Sequence, residues 1–245
     1  MSLYGILISV SIWVVVVKTE KLAKLLKIQS NFIWDLTLVT VVTGFIGARV
    51  YHVLSALPYY LNNPIQILAI WNGGLGIYGA FIGGFLGIIL FCRYKKEPTT
   101  MYLDLFAINI PLGQALGRIG NYVNQELYGS PTNLPWKLYI TPDHRIKGYE
   151  NINYYHPLFA YEALANIVLF ILLNYLFTKH QNKAGTGIFF KMYIAGYAFT
   201  RFWLEFLRID NWHIYGINTA QLISVLIICS VILSHVIYSK RSRGI

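Results

Sequence analysis

Residues 101–129, MYLDLFAINIPLGQALGRIGNYVNQELYG, decide how this chain is read. The first half, 101–116, is an apolar run with Asp104 near its start and Pro111 as a kink point. The second half, GRIGNYVNQELYG from Gly117, places a guanidinium (Arg118), two carboxamides (Asn121 and Asn124) and a carboxylate (Glu126) directly behind that run. A helix continued out of the run brings Arg118, Asn121 and Glu126 broadly to one side. Polar groups at membrane depth are costly unless paired or wetted, so the cluster is a candidate functional site.

The rest of the composition supports lipid as the solvent. Of 245 residues, 56% are hydrophobic and 12% charged, against about 25% charged in soluble domains. The expected class is an all-α integral membrane protein, a single transmembrane catalytic domain over 1–245. The formal charge of +10 does not point to nucleic acid, because most Lys and Arg residues stand in short loops between apolar runs. Cys92 and Cys229 lie in or beside such runs, which gives no disulfide framework. The aspartates are scattered, and neither a metal site nor a cofactor is expected.

Seven spans are predicted, over 3–17, 32–57, 65–92, 101–116, 157–177, 187–207 and 216–238. The first is short against the roughly 20 residues a span needs. It either starts at the interface or runs on into 18–29, where Lys18, Lys21, Lys24 and Lys27 read as a membrane-surface segment. It is expected to be a retained span, not a cleaved leader, since its basic residues follow it. The third contains WNGGLGIYGAFIGG, 71–84, and is predicted as a half-helix, a break near Gly73 and Gly74, and a helix to Cys92. The basic residues crowd the segments that follow the first, third, fifth and seventh spans, which puts the N-terminus outside and the C-terminus in the cytoplasm. Residues 127–156, rich in Pro, Asn and Tyr, are then an external arm or small head.

Charges inside spans carry the functional argument. Lys191 can snorkel from its helix end. Arg49 has His52 three residues on, with Asp35 and Asp104 as available partners, and pairing and function are both open to it. Tyr197, Arg201 and Glu205 are spaced by four and share a helical face, which alone would fit an intrahelical pair. Arg118 follows one span running outward and Arg201 lies in another, so both approach the outer half of the membrane. Two guanidiniums at one cavity suit a phosphate, since each offers a planar fork of donors. A phosphate at lipid depth means a phospholipid. HPLFAYE, 156–162, adds Glu162 as a counter-charge for an arginine, and His156 as an interface or capping residue. Tyr4, at the start of the first span, fits an aromatic belt.

GRIGNYVNQELYG resembles the fingerprint of the prolipoprotein diacylglyceryl transferase family. Tyr4-Gly5, Gly47-Ala48-Arg49, WNGGLGIYGAFIGG, HPLFAYE and the Tyr197–Arg201–Glu205 face ending in EFLR follow in the family's order. The resemblance implies a bacterial inner-membrane enzyme that moves the diacylglyceryl group of phosphatidylglycerol onto the lipobox cysteine of a prolipoprotein, releasing glycerol 1-phosphate. Carried over residue by residue, it implies catalytic roles for Arg118, Arg201 and Glu126. It implies substrate contacts for Arg118, Asn121, Asn124, Gly129, Tyr4, Tyr197, Glu205, His156, Glu162, Arg49 and Asp104. Two positions depart from the pattern. Tyr78 stands where many members carry a histidine cast as the base, and Ser130 where they carry an arginine. Tyr78 is therefore a proton-relay candidate, but a neutral phenol is a poor base, and the base stays unassigned. The alternatives are a transporter or flippase for an anionic lipid or metabolite, and an inactive homologue.

Overall fold

The computed structural model describes residues 3–69, 71 and 73–242. Among them are eight α-helices: α1 (Leu3–Leu25), α2 (Ser30–Ser55), α3 (Leu57–Asn62), α4 (Ile77–Lys95), α5 (Thr99–Val123), α6 (Leu158–Lys179), α7 (Ile188–Leu204) and α8 (Thr219–Ser242). Apart from the six-residue α3, they are 17 to 26 residues long. By length and composition α2, α4 and α6 can cross a membrane. Four two-residue strands form two antiparallel pairs, β1 (Leu138–Tyr139) with β2 (Tyr154–Tyr155) and β3 (His213–Ile214) with β4 (Ile217–Asn218). The chain divides into two units, one of residues 1–18 and 103–245, the other of 19–102.

In the 19–102 unit, α2 and α4 meet backbone to backbone. A Cβ on Gly79 would collide with the Gly47 carbonyl, and one on Gly83 with the Thr43 carbonyl. Four-residue spacing of small residues on both helices lets them approach this closely. The described residues of the predicted half-helix before the break are not α-helical. After α3 the chain makes a 3-10 turn at Pro64–Ile67, and α4 begins only at Ile77. Two prolines and the left-handed Gly73 and Gly74 account for this, since neither residue type extends a helix there. Arg49 holds the irregular stretch from inside. Its guanidinium donates to the carbonyls of Gln66, Ile67 (2.8 Å), Gly73 (2.8 Å) and Gly74 (2.9 Å) and lies over the Tyr60 ring.

In the other unit, α1 packs on α5 where Gly113 leaves room for Val15. The helix does not stop at Val17 but continues through Lys18, Lys21 and Lys24 to Leu25, so these lysines belong to α1 and not to a separate surface segment. α6 buries a stripe of Leu158, Glu162, Asn166, Leu169, Leu173 and Phe177. Gly196 of α7 admits Leu169, and Phe177 meets Phe189 at 5.6 Å. Residues 127–156 form a folded head with a small core of Tyr128, Ile140 and Tyr155. The Tyr128 hydroxyl donates to His144 O at 2.8 Å and accepts from Ile146 N at 2.7 Å, so the ring anchors the loop around it.

Candidate functional site

α5 extends through Arg118 and Asn121 to Val123, as the continued helix requires. The chain then turns sharply, with Gln125 and Leu127 in the left-handed region at φ 51 and 56. Non-glycine residues hold that conformation only where their surroundings fix it. The turn points Glu126 back at the helix end. Its amide donates to Asn121 O at 2.9 Å, and its Oε1 accepts from Asn121 Nδ2 at 2.9 Å and Asn124 Nδ2 at 3.2 Å. Asn121 also accepts from Arg118 Nη1 at 2.8 Å, so the carboxylate acts on the guanidinium through an amide.

Arg118 has a second partner, Glu162 of α6, which pairs with its Nη2. Glu162 is buried, and Arg118 retains about a fifth of its side-chain exposure. Arg118 Nε is buried with no hydrogen-bond partner among the described residues. A second pair stands on α7 and the turn after it, where Arg201 Nη2 lies 2.8 Å from Glu205 Oε2. Glu205 is 2% exposed while Arg201 keeps a quarter of its surface, so the cation is the accessible partner. Tyr197, one turn before Arg201, lies within the electrostatic reach of Glu162, Arg201, Arg118 and Arg208. Charges from both ion pairs therefore act on the same phenol.

Backbone bonds join the three motifs that supply these groups. Gly129 N donates to His156 O at 2.8 Å, Ser130 N to Leu207 O at 2.7 Å and Phe159 N to Leu127 O at 3.1 Å. Gly129 is threaded between neighbours, and a Cβ there would sit 2.8 Å from Leu207 O and 3.1 Å from His156 Cβ. His156 carries its Nδ1 at 3.1 Å from the Tyr161 hydroxyl, which also accepts from Trp136 Nε1 at 2.7 Å. With the indole N–H donating into it, the phenol is free to donate its own proton to Nδ1.

Arg208, in the turn after α7, stands within electrostatic reach of Arg201, Glu205 and Glu162. It stands seven positions after Arg201, beyond the end of α7 and the tight turn at Glu205–Leu207. Burial, and then the neighbouring Arg201 charge, pull its guanidinium below the ordinary value, with Glu205, Glu162 and Asp210 opposing.

Asp104, Arg49 and Tyr78 make contacts of their own. Asp104 is fully buried and caps the start of α7, accepting from Gly185 N (3.0 Å), Gly187 N (2.9 Å) and Phe190 N (2.8 Å). It is 14 residues before Arg118 on the same helix, about 21 Å away, and its carboxylate is taken up by those amides. Arg49 belongs to the other unit and spends its donors on loop carbonyls. Tyr78 is also in that unit, exposed, with its ring 5.9 Å from that of Tyr51. Tyr4 lies in α1, but its side chain is outside those described. Among the described residues, no three His, Cys, Asp or Glu side chains gather as metal ligands.

Long apolar helices, three of them able to cross a membrane, around two arginine–carboxylate pairs fit an all-α membrane protein. The family model for prolipoprotein diacylglyceryl transferase matches residues 1–237, and the chain belongs to that family. It is 41% identical over 211 residues, 85% of this chain and 75% of the relative, to a phosphatidylglycerol–prolipoprotein diacylglyceryl transferase of Synechococcus sp. strain CC9902. A relative of the same name from Synechococcus elongatus is 38% identical over 244 residues, covering 98% of this chain and 84% of its own.

Proposed function

We infer that this chain transfers the diacylglyceryl group of phosphatidylglycerol to the lipobox cysteine thiol of prolipoproteins. The observation that carries the reading is the pair of arginines, each held by its own carboxylate and both within reach of Tyr197. A site of this kind meets the demand of the reaction, which is to stabilise charge on a departing phosphate.

The cysteine thiolate attacks the glyceryl carbon that bears the phosphate, since the thiolate is the nucleophile. A C–S bond forms, the C–O bond to phosphorus breaks, and its electron pair leaves on the phosphate oxygen. The thiol proton ends on the glycerol 1-phosphate released. Arg118 and Arg201 bind the phosphate oxygens, and Arg208 adds a third cationic group. Glu162 and Glu205 orient the first two, while Glu126 acts through Asn121. Asn124, Gly129 and His156 keep the substrate-side wall in place. Tyr78 is the relay candidate for the thiol proton, and full activity of a Tyr78→Phe variant removes it from that role.

The same reading makes the chain a multi-pass protein of the bacterial inner membrane. The seven long helices are its spans, the N-terminus lies outside, and the 127–156 head is external. Labelling cysteines introduced singly in the head and in the 180–187 loop tests this, because only the first should react from outside. The activity is tested with purified protein, phosphatidylglycerol and a lipobox peptide. Peptide-linked diacylglycerol and free glycerol phosphate should appear together, and a Cys→Ser peptide should give neither. Lipid movement across vesicles with no thioether product would favour the flippase alternative.

A further inference from the structure

Behind the arginine pairs, the three helices of the site carry a second polar row. Gln114 stands one turn before Arg118 on α5, Asn166 one turn after Glu162 on α6, and Tyr193 one turn before Tyr197 on α7. Four-residue spacing keeps each on the face of its partner. α5 and α7 lead toward the head and α6 leads away from it, so all three steps go in one direction, about 6 Å further from the head. Asn166 is 1% exposed, yet its Nδ2 has no hydrogen-bond partner among the described residues. Gln114 lies beside the Tyr193 phenol, which is itself within electrostatic reach of Glu162 and Tyr197.

An amide N–H₂ buried among apolar helices without an acceptor is costly, and such a group in a native fold calls for one. The transfer chemistry makes no use of this row. The donor lipid does supply acceptors a few bonds below its phosphate, in its two acyl ester carbonyls, which accept and cannot donate. We propose that Asn166 Nδ2 and the Tyr193 hydroxyl donate to these ester carbonyls, seating the glyceryl backbone beneath the guanidiniums. The proposal rests on the transferase reading of the site and adds a selectivity to it, for diacyl ester lipid over dialkyl ether lipid.

The test compares diester and diether phosphatidylglycerol of equal chain length in transfer to the lipobox peptide. Wild type should favour the ester by about 10-fold in kcat/KM, the scale of one to two buried neutral hydrogen bonds. Asn166→Leu should bring the ester-to-ether ratio close to one, and Tyr193→Phe should lower it in the same direction. The ratio is read within each protein, so a loss of folded enzyme cancels. A ratio near one in wild type overturns the proposal while product formation upholds the transferase reading. A ratio unchanged in both variants also overturns it, and assigns the preference to the lipid's own reactivity. Absence of thioether with both lipids overturns the transferase reading and this proposal together.

Discussion

Arg118 and Glu162, 44 residues apart in sequence, form an ion pair that ties α5 to α6 at the level of the site. Glu162 is buried, so removing its charge leaves Arg118 free to swing, and removing the cation leaves a carboxylate stranded among apolar helices. Glu162→Gln should lower kcat by about 10-fold with the fold kept. In a double-mutant cycle with Arg118→Ala the two losses should be clearly less than additive, because residues of one pair share one effect. Additive losses would show that the carboxylate works independently of the arginine.

Gly129 has a different vulnerability. Its missing side chain lets the chain after α5 lie against both His156 and Leu207. Gly129→Ala should cost about 1–3 kcal/mol, as for other overpacked positions. The drop should appear in thermal unfolding, and the bridge between Gly129 and Arg208 should lose amide protection with it. An alanine variant as stable and active as wild type would mean that the contact relaxes without loss.

Asp104 separates stability from catalysis. Replacing it by alanine strips an acceptor from three backbone amides at the start of α7. The expected cost is about 3 kcal/mol, read as a lower Tm in detergent, with turnover per folded molecule close to wild type. A selective loss of kcat at unchanged Tm would instead place the carboxylate in the reaction.

Arg49→Lys tests the loop that precedes α4. A lysine ammonium is a point charge and cannot span the carbonyls of Gln66, Ile67, Gly73 and Gly74 as a planar guanidinium does. Hydrogen exchange over 64–76 should quicken by about 10-fold while α2 and α4 keep their protection. Unchanged exchange would show that the glycines and prolines hold the loop unaided.

Much of this was legible in the sequence because the signals were local. Hydropathy located α2, α6, α7 and α8 to within a few residues but stopped α1 and α5 short and started α4 too early, and the spacing of Arg118 with Asn121, and of Arg201 with Glu205, foretold two of the observed contacts. Contacts between distant segments left weaker traces. The capping of α7 by Asp104 joins residues 81 to 86 positions apart, and no property of an isolated aspartate announces it. Pairing of 127–131 with 156–159 and 207–208 is made by backbone, which any residue supplies, and Gly129 is its one sequence mark. The stretch before α4 was read as a half-helix from its apolar composition alone, but Pro64 and the left-handed glycines prevailed. Arg208 was counted with the loops because its approach to Arg201 depends on the turn at Glu205–Leu207.

In the proposed reaction Arg118 and Arg201 stabilise the departing phosphate. Single-turnover release of glycerol phosphate measures this directly, with enzyme in excess over phosphatidylglycerol and the lipobox peptide saturating. Arg118→Ala and Arg201→Ala should each slow release on the order of 100-fold or more, the loss expected when a preorganised contact to developing charge is removed. Release at the wild-type rate in either variant, from protein shown to be folded, would contradict it.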